Sequence, residues 1–286
     1  MLVSVVIPVY LRTEWLKKCL EALSVQEGLN GIDMEVLIID DGSPNSDELK
    51  RITAEFRERL KLRYLYQEKL GPAAAKNLGI KNSGGEVICF FDDDSICDKG
   101  WVSVVSAEFM KDISCGIVNG KLLSYHRQEN SLGLLLEDSV YKPRKSWASC
   151  NIAYRRKALE KIGLFDERYK LASWEDNDLG FRAYLHKEIK HIYSPLAIMY
   201  HAHERTMDEF REKAFRNGRG LAQFFRKFFL AHPLLVSGMT IYIMKDLYLI
   251  LHPGVFSQDK RRRESLRFIW SANSLKGYIW GLIRWK

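Results

Sequence analysis

Within its first 91 residues the chain changes repeatedly between short β-branched apolar runs and stretches of helical period, and this alternation restricts the fold more than any other feature. Residues 3–9 (VSVVIPV) are too short for a typical helix and rich in valine and isoleucine, so they predict a buried strand. Trp15, Leu16, Cys19, Leu20 and Leu23 then recur at helical spacing, with Thr13 as N-cap. Residues 35–39 (EVLII) predict a second strand, stopped by Asp40-Asp41-Gly42-Ser43-Pro44, and Leu49, Ile52, Phe56 and Leu60 share one face of a helix starting near Ser46. Residues 62–66 predict a third strand, residues 72–82 a helix with Pro72 in its first turn, and residues 87–91 a fourth strand. The order predicts an α/β fold in which a mostly parallel sheet carries helices on both faces.

With 286 residues, 47% hydrophobic and 28% charged, the chain can bury a full core as one large domain or as one domain with an appendage. The net charge of +8 is unevenly spread: residues 204–286 hold 16 Lys and Arg against 7 Asp and Glu, and residues 1–203 hold 28 against 29. A nearly neutral body with acid concentrated at particular points argues against a nucleic-acid-binding surface there. Five cysteines form no CxxC pair and several sit in apolar runs, which predicts a reduced, cytosolic chain without structural zinc. The sequence opens on a strand with no basic n-region, so no secretory signal is expected.

Ligands of parallel sheets sit beyond the carboxyl ends of the strands, and the unusual residues fall there. The first strand ends in Pro8-Val9-Tyr10, the second in Asp40-Asp41 and the fourth in Asp92-Asp93-Asp94. Asp-Gly is also an ordinary turn dipeptide, so Asp40-Asp41-Gly42-Ser43 alone decides little. Three adjacent aspartates oppose one another's ionisation unless they are solvated or neutralised by a cation. Carboxylates suit Mg²⁺ and Mn²⁺, and Asp92 and Asp94 could both serve such an ion. An EF-hand is excluded, because Ile96 stands where the next ligand would be and the glycine is missing. There is no Walker lysine, and Gly218-Arg219-Gly220-Leu221-Ala222-Gln223 lacks the last glycine of a dinucleotide fingerprint. A metal bridging a diphosphate remains.

Farther on, Leu179, Arg182, Ala183 and Leu185 suggest a helix whose first turn holds Glu175, Asp176 and Asp178. The helix dipole alone favours acids there, but Trp174 beside them offers an aromatic face of the kind that holds a sugar ring. His201 and His203 would share one face of a strand, where an imidazole could complete a metal site or contact a diphosphate.

VSVVIPVY, VLIIDDGS, GPAAAKNLGI, VICFFDDDS and WEDNDLGFRAY, in this order, resemble the family 2 inverting glycosyltransferases of the GT-A fold over about residues 1–205. The resemblance implies a nucleotide-sugar donor, a UDP-sugar by the matching aspartate, and Mn²⁺ or Mg²⁺ as cofactor. It implies that Pro8 and Tyr10 line the base and ribose pocket, that Asp41 binds a uracil imide, and that Gly71 and Asn77 pack near the nucleotide with Lys76 toward the diphosphate. Asp92 and Asp93 would approach the ribose, and Asp94 would ligate the metal with Asp92 and His201. Asp176 would be the base that deprotonates the acceptor hydroxyl, with Glu175 and Asp178 orienting substrate or loop. Trp147 and Asn151, in the WASCN stretch, would lie near donor sugar and acceptor, although an aromatic there also fits a core. A nucleotidyltransferase that makes the nucleotide-sugar, or a non-catalytic nucleotide-binding module, is the alternative.

Residues 206–286 predict a helical, basic and aromatic C-terminal region. Phe224, Phe225, Phe228, Phe229 and Leu230 interleave with Arg219, Arg226 and Lys227, and Lys245 and Asp246 interrupt the apolar run 234–251. Such a region either packs as ordinary helices or seats on an anionic membrane surface, with Lys260 to Arg263 beside it, near a glycan or lipid-linked acceptor. The second alternative would put the protein peripherally on the inner face of the cell membrane.

Overall fold

The four apolar runs are strands β1 (Leu2–Val9), β2 (Asp33–Asp41), β3 (Lys61–Gln67) and β4 (Val87–Phe90), which pair in parallel in the computed structural model. The structure describes residues 1–125, 146–202, 206–233 and 258–283, with side chains in the last stretch from residue 269. Between the strands run α1 (Thr13–Ser24), α2 (Ser46–Glu55) and α3 (Pro72–Asn82). Then come β5 (Ser95–Cys97), α4 (Trp101–Lys111), β6 (Cys115–Ser124), β7 (Ile152–Arg155), α5 (Arg156–Ile162), α6 (Glu175–Leu185) and β8 (Lys190–His201). The eight strands form one sheet in the order β3-β2-β1-β4-β7-β6-β8-β5.

The sheet is mixed α/β and mostly parallel, as the alternation predicts, but its second half departs from that pattern. β7 runs antiparallel to both β4 and β6, and β5 antiparallel to β8, while β6 and β8 are parallel. Alternate side chains of each central strand enter opposite cores. Val3, Val5, Ile7 and Val9 of β1 join α1, α2 and α4 on one face, whereas Val6 joins α3, α5 and α6 on the other. Burial of both faces is why these strands are continuously apolar rather than alternating.

Thr13 is not an N-cap. It is the first helical residue of α1, and Arg12 precedes it without a side-chain capping bond. The turn is made by Leu11, which adopts φ +70° and donates its amide to Ser43 Oγ at 3.1 Å. All five cysteines are buried thiols.

Residues 1–125, 146–170 and 175–202 form one compact unit; residues 171–174, 206–233 and 258–283 belong to a second. In the second unit α7 (Met207–Phe228) opens with a capping box, Thr206 and Glu209 each bonding the other's backbone amide. It packs closely on α8 (Gln258–Ile283): a Cβ on Gly218 would stand 1.7 Å from the Ser274 carbonyl oxygen, and one on Gly277 1.9 Å from that of Phe215. Among the described residues no helix is long and apolar enough to cross a membrane. His203, the run 234–251 and the side chains of Lys260 to Arg263 lie outside the described residues.

Candidate active site

Register gathers the polar strand ends. Val9 of β1 lies opposite Asp40 of β2, and Val6 lies opposite Phe90 of β4, so Tyr10, Asp41 and Asp92 to Asp94 leave the sheet along the same rim. β5 begins immediately after the aspartates and pairs with β8 so that Ser95 faces His201. This pairing brings an imidazole from 107 positions farther along the chain to the acids. His201 Nε2 is 3.2 Å from Asp94 Oδ1 and 3.5 Å from Asp92 Oδ2. Asp93 and Asp94 are buried, while Asp92 is 37% exposed.

The protein supplies its own cations to this cluster. Arg12 Nη1 hydrogen-bonds Asp94 Oδ2 and donates to Asp93 Oδ1 at 3.2 Å. Burial alone would lower the guanidinium's proton affinity, but Asp94, Asp93 and Asp92 together raise it. Burial likewise opposes charge on His201, and Asp94 and Asp92 outweigh it, raising the imidazole to about 10. Burial, then the charge of Asp94, pushes Asp93 up to about 8, with Arg12 acting in the opposite sense. Arg12 is a site residue that the motifs do not single out. Its signal was its position, as a cation two residues beyond Tyr10 in a rim loop.

His201 Nε2 stands close to both Asp92 and Asp94, at spacings that would let a divalent ion take the imidazole together with either carboxylate. Adjacent ligands of an octahedral ion with bonds of about 2.1 Å lie about 3 Å apart, close to the 3.2 and 3.5 Å separations of these donors. Carboxylate oxygens with one imidazole suit Mn²⁺ or Mg²⁺. Donor atoms of Asp92, His201 and Cys150 all lie within 4.8 Å of one another. A soft thiol is poorly matched to a hard cation, but its position ties the 149–151 turn to the acid cluster.

That turn also reaches Asp176. The Ser149 amide donates to Asp176 Oδ2 at 3.2 Å, and Asn177 donates to Oδ1 through its amide at 2.7 Å and its Nδ2 at 2.9 Å. Burial, followed by the charge of Glu175, raises Asp176 to about 6, against the lowering effect of Lys76. Glu175 itself is buried and accepts from Lys76 Nζ at 2.8 Å. The Lys76 ammonium is directed to Glu175 and Ser149, not outward to a diphosphate.

Several residues expected at substrate are instead committed inside the fold. Asn77 clamps the 165–167 segment: its Nδ2 donates to the Phe165 carbonyl at 2.9 Å and Glu167 Oε1 at 2.8 Å, and its Oδ1 accepts from the Phe165 amide at 2.9 Å. Asn151 accepts from Trp101 Nε1 at 2.8 Å and donates to the Lys121 carbonyl at 3.0 Å. Asp178 is fully buried and pairs with Arg182 Nε at 2.8 Å. Trp147 is partly buried on the apolar core, its ring so close to Gly180 that an added Cβ would lie 2.0 Å from Cγ. An inward polar residue and an outward one look alike in sequence when both flank the same motif.

Asp41 Oδ1 accepts from Gln67 Nε2 at 2.7 Å, the Leu70 amide at 2.9 Å and the Gly71 amide at 3.1 Å, while Oδ2 accepts from the Gly71 amide at 3.0 Å. Gly71 has φ +99°, and a Cβ there would stand 2.7 Å from the Lys170 carbonyl oxygen, so glycine is needed to bring this loop over Asp41. Pro8 and Tyr10 are partly exposed at the rim, with Lys69 Nζ 3.8 Å from the Tyr10 ring centroid. Trp174 has φ +69°, donates from Nε1 to Asn217 Oδ1 at 2.9 Å and lies against Phe224, all within the second unit.

Residues 4–163 match the family described as glycosyl transferase family 2. The chain belongs to this family. Among curated relatives, a protein from Rickettsia felis described as an uncharacterized glycosyltransferase is 39% identical over 110 residues, covering 38% of this chain and 17% of its own length. The chain therefore spans about a sixth of that relative. Among solved structures, the mannosyltransferase PcManGT from Pyrobaculum calidifontis in complex with GDP-Man and Mn²⁺ superposes with a TM-score of 0.70 at 16% identity, covering 99% of this chain and 88% of the other. S. aureus TarS 1–349 in complex with UDP-GlcNAc superposes with a TM-score of 0.58 at 19% identity, covering 96% and 90%. At these identities the likeness establishes the GT-A fold.

Proposed function

We propose that this family 2 chain is a divalent-metal-dependent inverting glycosyltransferase, moving a sugar from a nucleotide-sugar to a hydroxyl of a glycan or lipid-linked glycan. The observation that carries the reading is the Ser149-Cys150 dipeptide. Its Ser149 amide holds Asp176 at 3.2 Å and its Cys150 thiol lies within 4.8 Å of the Asp92 and His201 donors, so a candidate base and a candidate ion site flank one turn. A nucleotide-sugar donor is supported by what the two structural neighbours bind, and Mn²⁺ by the mannosyltransferase neighbour. Uridine rests on Asp41, whose Oδ2 accepts one amide and so keeps capacity for an imide N–H.

Asp92, Asp94 and His201 would hold Mn²⁺ or Mg²⁺, which when bound offsets the negative charge of the departing diphosphate. Asp176 takes the acceptor hydroxyl's proton as that oxygen attacks the anomeric carbon from the face opposite the diphosphate, so configuration inverts in one displacement. The Ser149 amide and Asn177 fix the carboxylate's orientation, and partial burial raises its basicity toward neutral pH. The catalytic groups fall in residues 1–205, and residues 206–286 form the region assigned to acceptor or membrane contact. Exposed Phe229 and Leu230 beside Arg226 and Lys227 support seating on an anionic membrane surface. Flotation with anionic vesicles at low and high salt tests that seating, and a protein unbound at both refutes it.

The activity is tested by nucleoside diphosphate release from a panel of UDP- and GDP-sugars, with Mn²⁺ and with EDTA. Turnover should require the ion and fall by about 10²–10⁴-fold in Asp94→Ala and in Asp176→Asn. Undiminished turnover in either variant, or silence of the wild type on every donor and acceptor tried, counts against the mechanism. Pyrophosphate formation from a nucleoside triphosphate and a sugar phosphate would identify a nucleotidyltransferase instead.

A further inference from the structure

Lys76 is 1% exposed, a rare environment for an ammonium group. It sits on α3, whose neighbouring Ala73 and Ala75 are core residues, and its Nζ lies 5.2 Å from the Phe165 ring centroid. From there it donates to Ser149 Oγ at 2.7 Å and to Glu175 Oε1 at 2.8 Å. These two acceptors belong to the two segments that meet at Asp176. Ser149 donates its own amide to Asp176 Oδ2, and Glu175 is the residue before Asp176 in the first turn of α6. The second oxygen of Glu175 is buried and has no hydrogen-bond partner among the described residues, so Lys76 provides the compensation this carboxylate needs. Burial opposes the charge on Lys76, but Glu175, Asp92 and Asp176 outweigh it and keep the group an ammonium.

We propose that Lys76 is the positioning residue for Asp176, fastening the 149 turn and the start of α6 together so that the carboxylate between them keeps one orientation toward the acceptor hydroxyl. The inference rests on Asp176 being the base. A lysine at the diphosphate would act chiefly on donor affinity, whereas a lysine that aligns the base acts on turnover. Misplacement of a reacting group by about 1 Å costs on the order of 10²-fold, which sets the scale expected.

The test compares Lys76→Met, Lys76→Arg and Asp176→Asn with wild type, reading kcat by UDP release from a UDP-sugar and UDP–Mn²⁺ affinity by calorimetry, each per folded molecule. Because Lys76→Met strands the Glu175 charge, the neutral pair Lys76→Met/Glu175→Gln is made alongside. We expect kcat to fall about 10- to 100-fold in both, UDP–Mn²⁺ affinity to stay within about threefold, and Lys76→Arg, which can bond both acceptors, to regain most of the loss. Wild-type turnover in the folded Met variants overturns the inference, as does UDP–Mn²⁺ binding weakened more than about 30-fold with kcat unchanged. The functional reading fails separately: turnover surviving in Asp176→Asn overturns it, whereas an inactive Asp176→Asn beside a fully active Lys76→Met overturns only the role of Lys76.

Discussion

The raised proton affinity of Asp176 makes a measurable demand on the pH profile. With its carboxyl near 6, about nine-tenths of the protein carries the base form at pH 7 and about one-tenth at pH 5. An acidic limb centred near 6 should therefore lower kcat about tenfold between those values. A carboxylate at its ordinary 3.8 would lose only a few per cent over the same range. The assay is kcat at saturating donor, acceptor and Mn²⁺, which reports the complex and keeps ligand protonation out of the window. Glu175→Gln sharpens the result: the amide oxygen still accepts from Lys76, but one negative charge beside Asp176 is gone, so the limb should move to lower pH. The shift also acts on stability. A carboxyl whose folded value lies above its unfolded value stabilises the fold when protonated, a contribution present below 3.8 and lost as pH rises through about 6. A rate flat from pH 7 to 5, or a limb unmoved in Glu175→Gln, would refute the assignment of Asp176 and its environment.

Three further outcomes follow from the same geometry. His201→Ala should weaken Mn²⁺ binding at least about tenfold, since an imidazole is lost from a set with 3.2 and 3.5 Å spacings; calorimetry with MnCl₂ reads this without turnover. Asp178→Ala should destabilise the fold by about 3–5 kcal/mol, because Arg182 loses a fully buried partner, with UDP affinity of the folded fraction unchanged in a urea titration paired with calorimetry. Gly71→Ala, with φ +99° and a carbonyl 2.7 Å from the new Cβ, should cost at least about 1–3 kcal/mol in the same urea assay.

β1, β2 and β4 were legible because burial on both faces leaves a nearly unbroken apolar run, whereas the edge strand β3, which has no buried residue, was legible only from its place in the alternation; α3 matches residues 72–82 at both ends, with Pro72 fixing its start. β5 was not legible: three residues carry no period, and only its pairing with β8 sets His201 opposite Ser95. His201, singled out by the resemblance, nevertheless lies beside Asp92 and Asp94. The inward turn of Asn77, Asn151 and Asp178 depends on partners 88, 50 and 4 positions away, and residue type does not report which way such a side chain points. Thr13 failed as a cap because Leu11 takes a left-handed conformation, a choice leucine rarely makes and sequence therefore does not announce.

That same turn at Leu11 delivers Arg12 to the acids, and it alters how an ion would enter. Three aspartates with no counter-charge would favour any cation, but here Arg12 already bonds Asp94 and lies 3.2 Å from Asp93. A divalent ion at Asp92, Asp94 and His201 must then compete with the guanidinium for Asp94, so binding is an exchange and not a simple addition. The two resident cations are not equally easy to move. Arg12 is 52% exposed and can turn into water, whereas His201 is 14% exposed, anchored by the β5–β8 ladder, and must release its proton before its ring nitrogen can ligate an ion. Arg12→Ala should therefore tighten Mn²⁺ binding several-fold, by the loss of a competitor, while lowering stability in the absence of the ion. Calorimetry with MnCl₂ on wild type and variant reads the first effect and melting without metal the second. Weaker Mn²⁺ binding in Arg12→Ala would show that the guanidinium organises the carboxylates for the ion instead of competing with it.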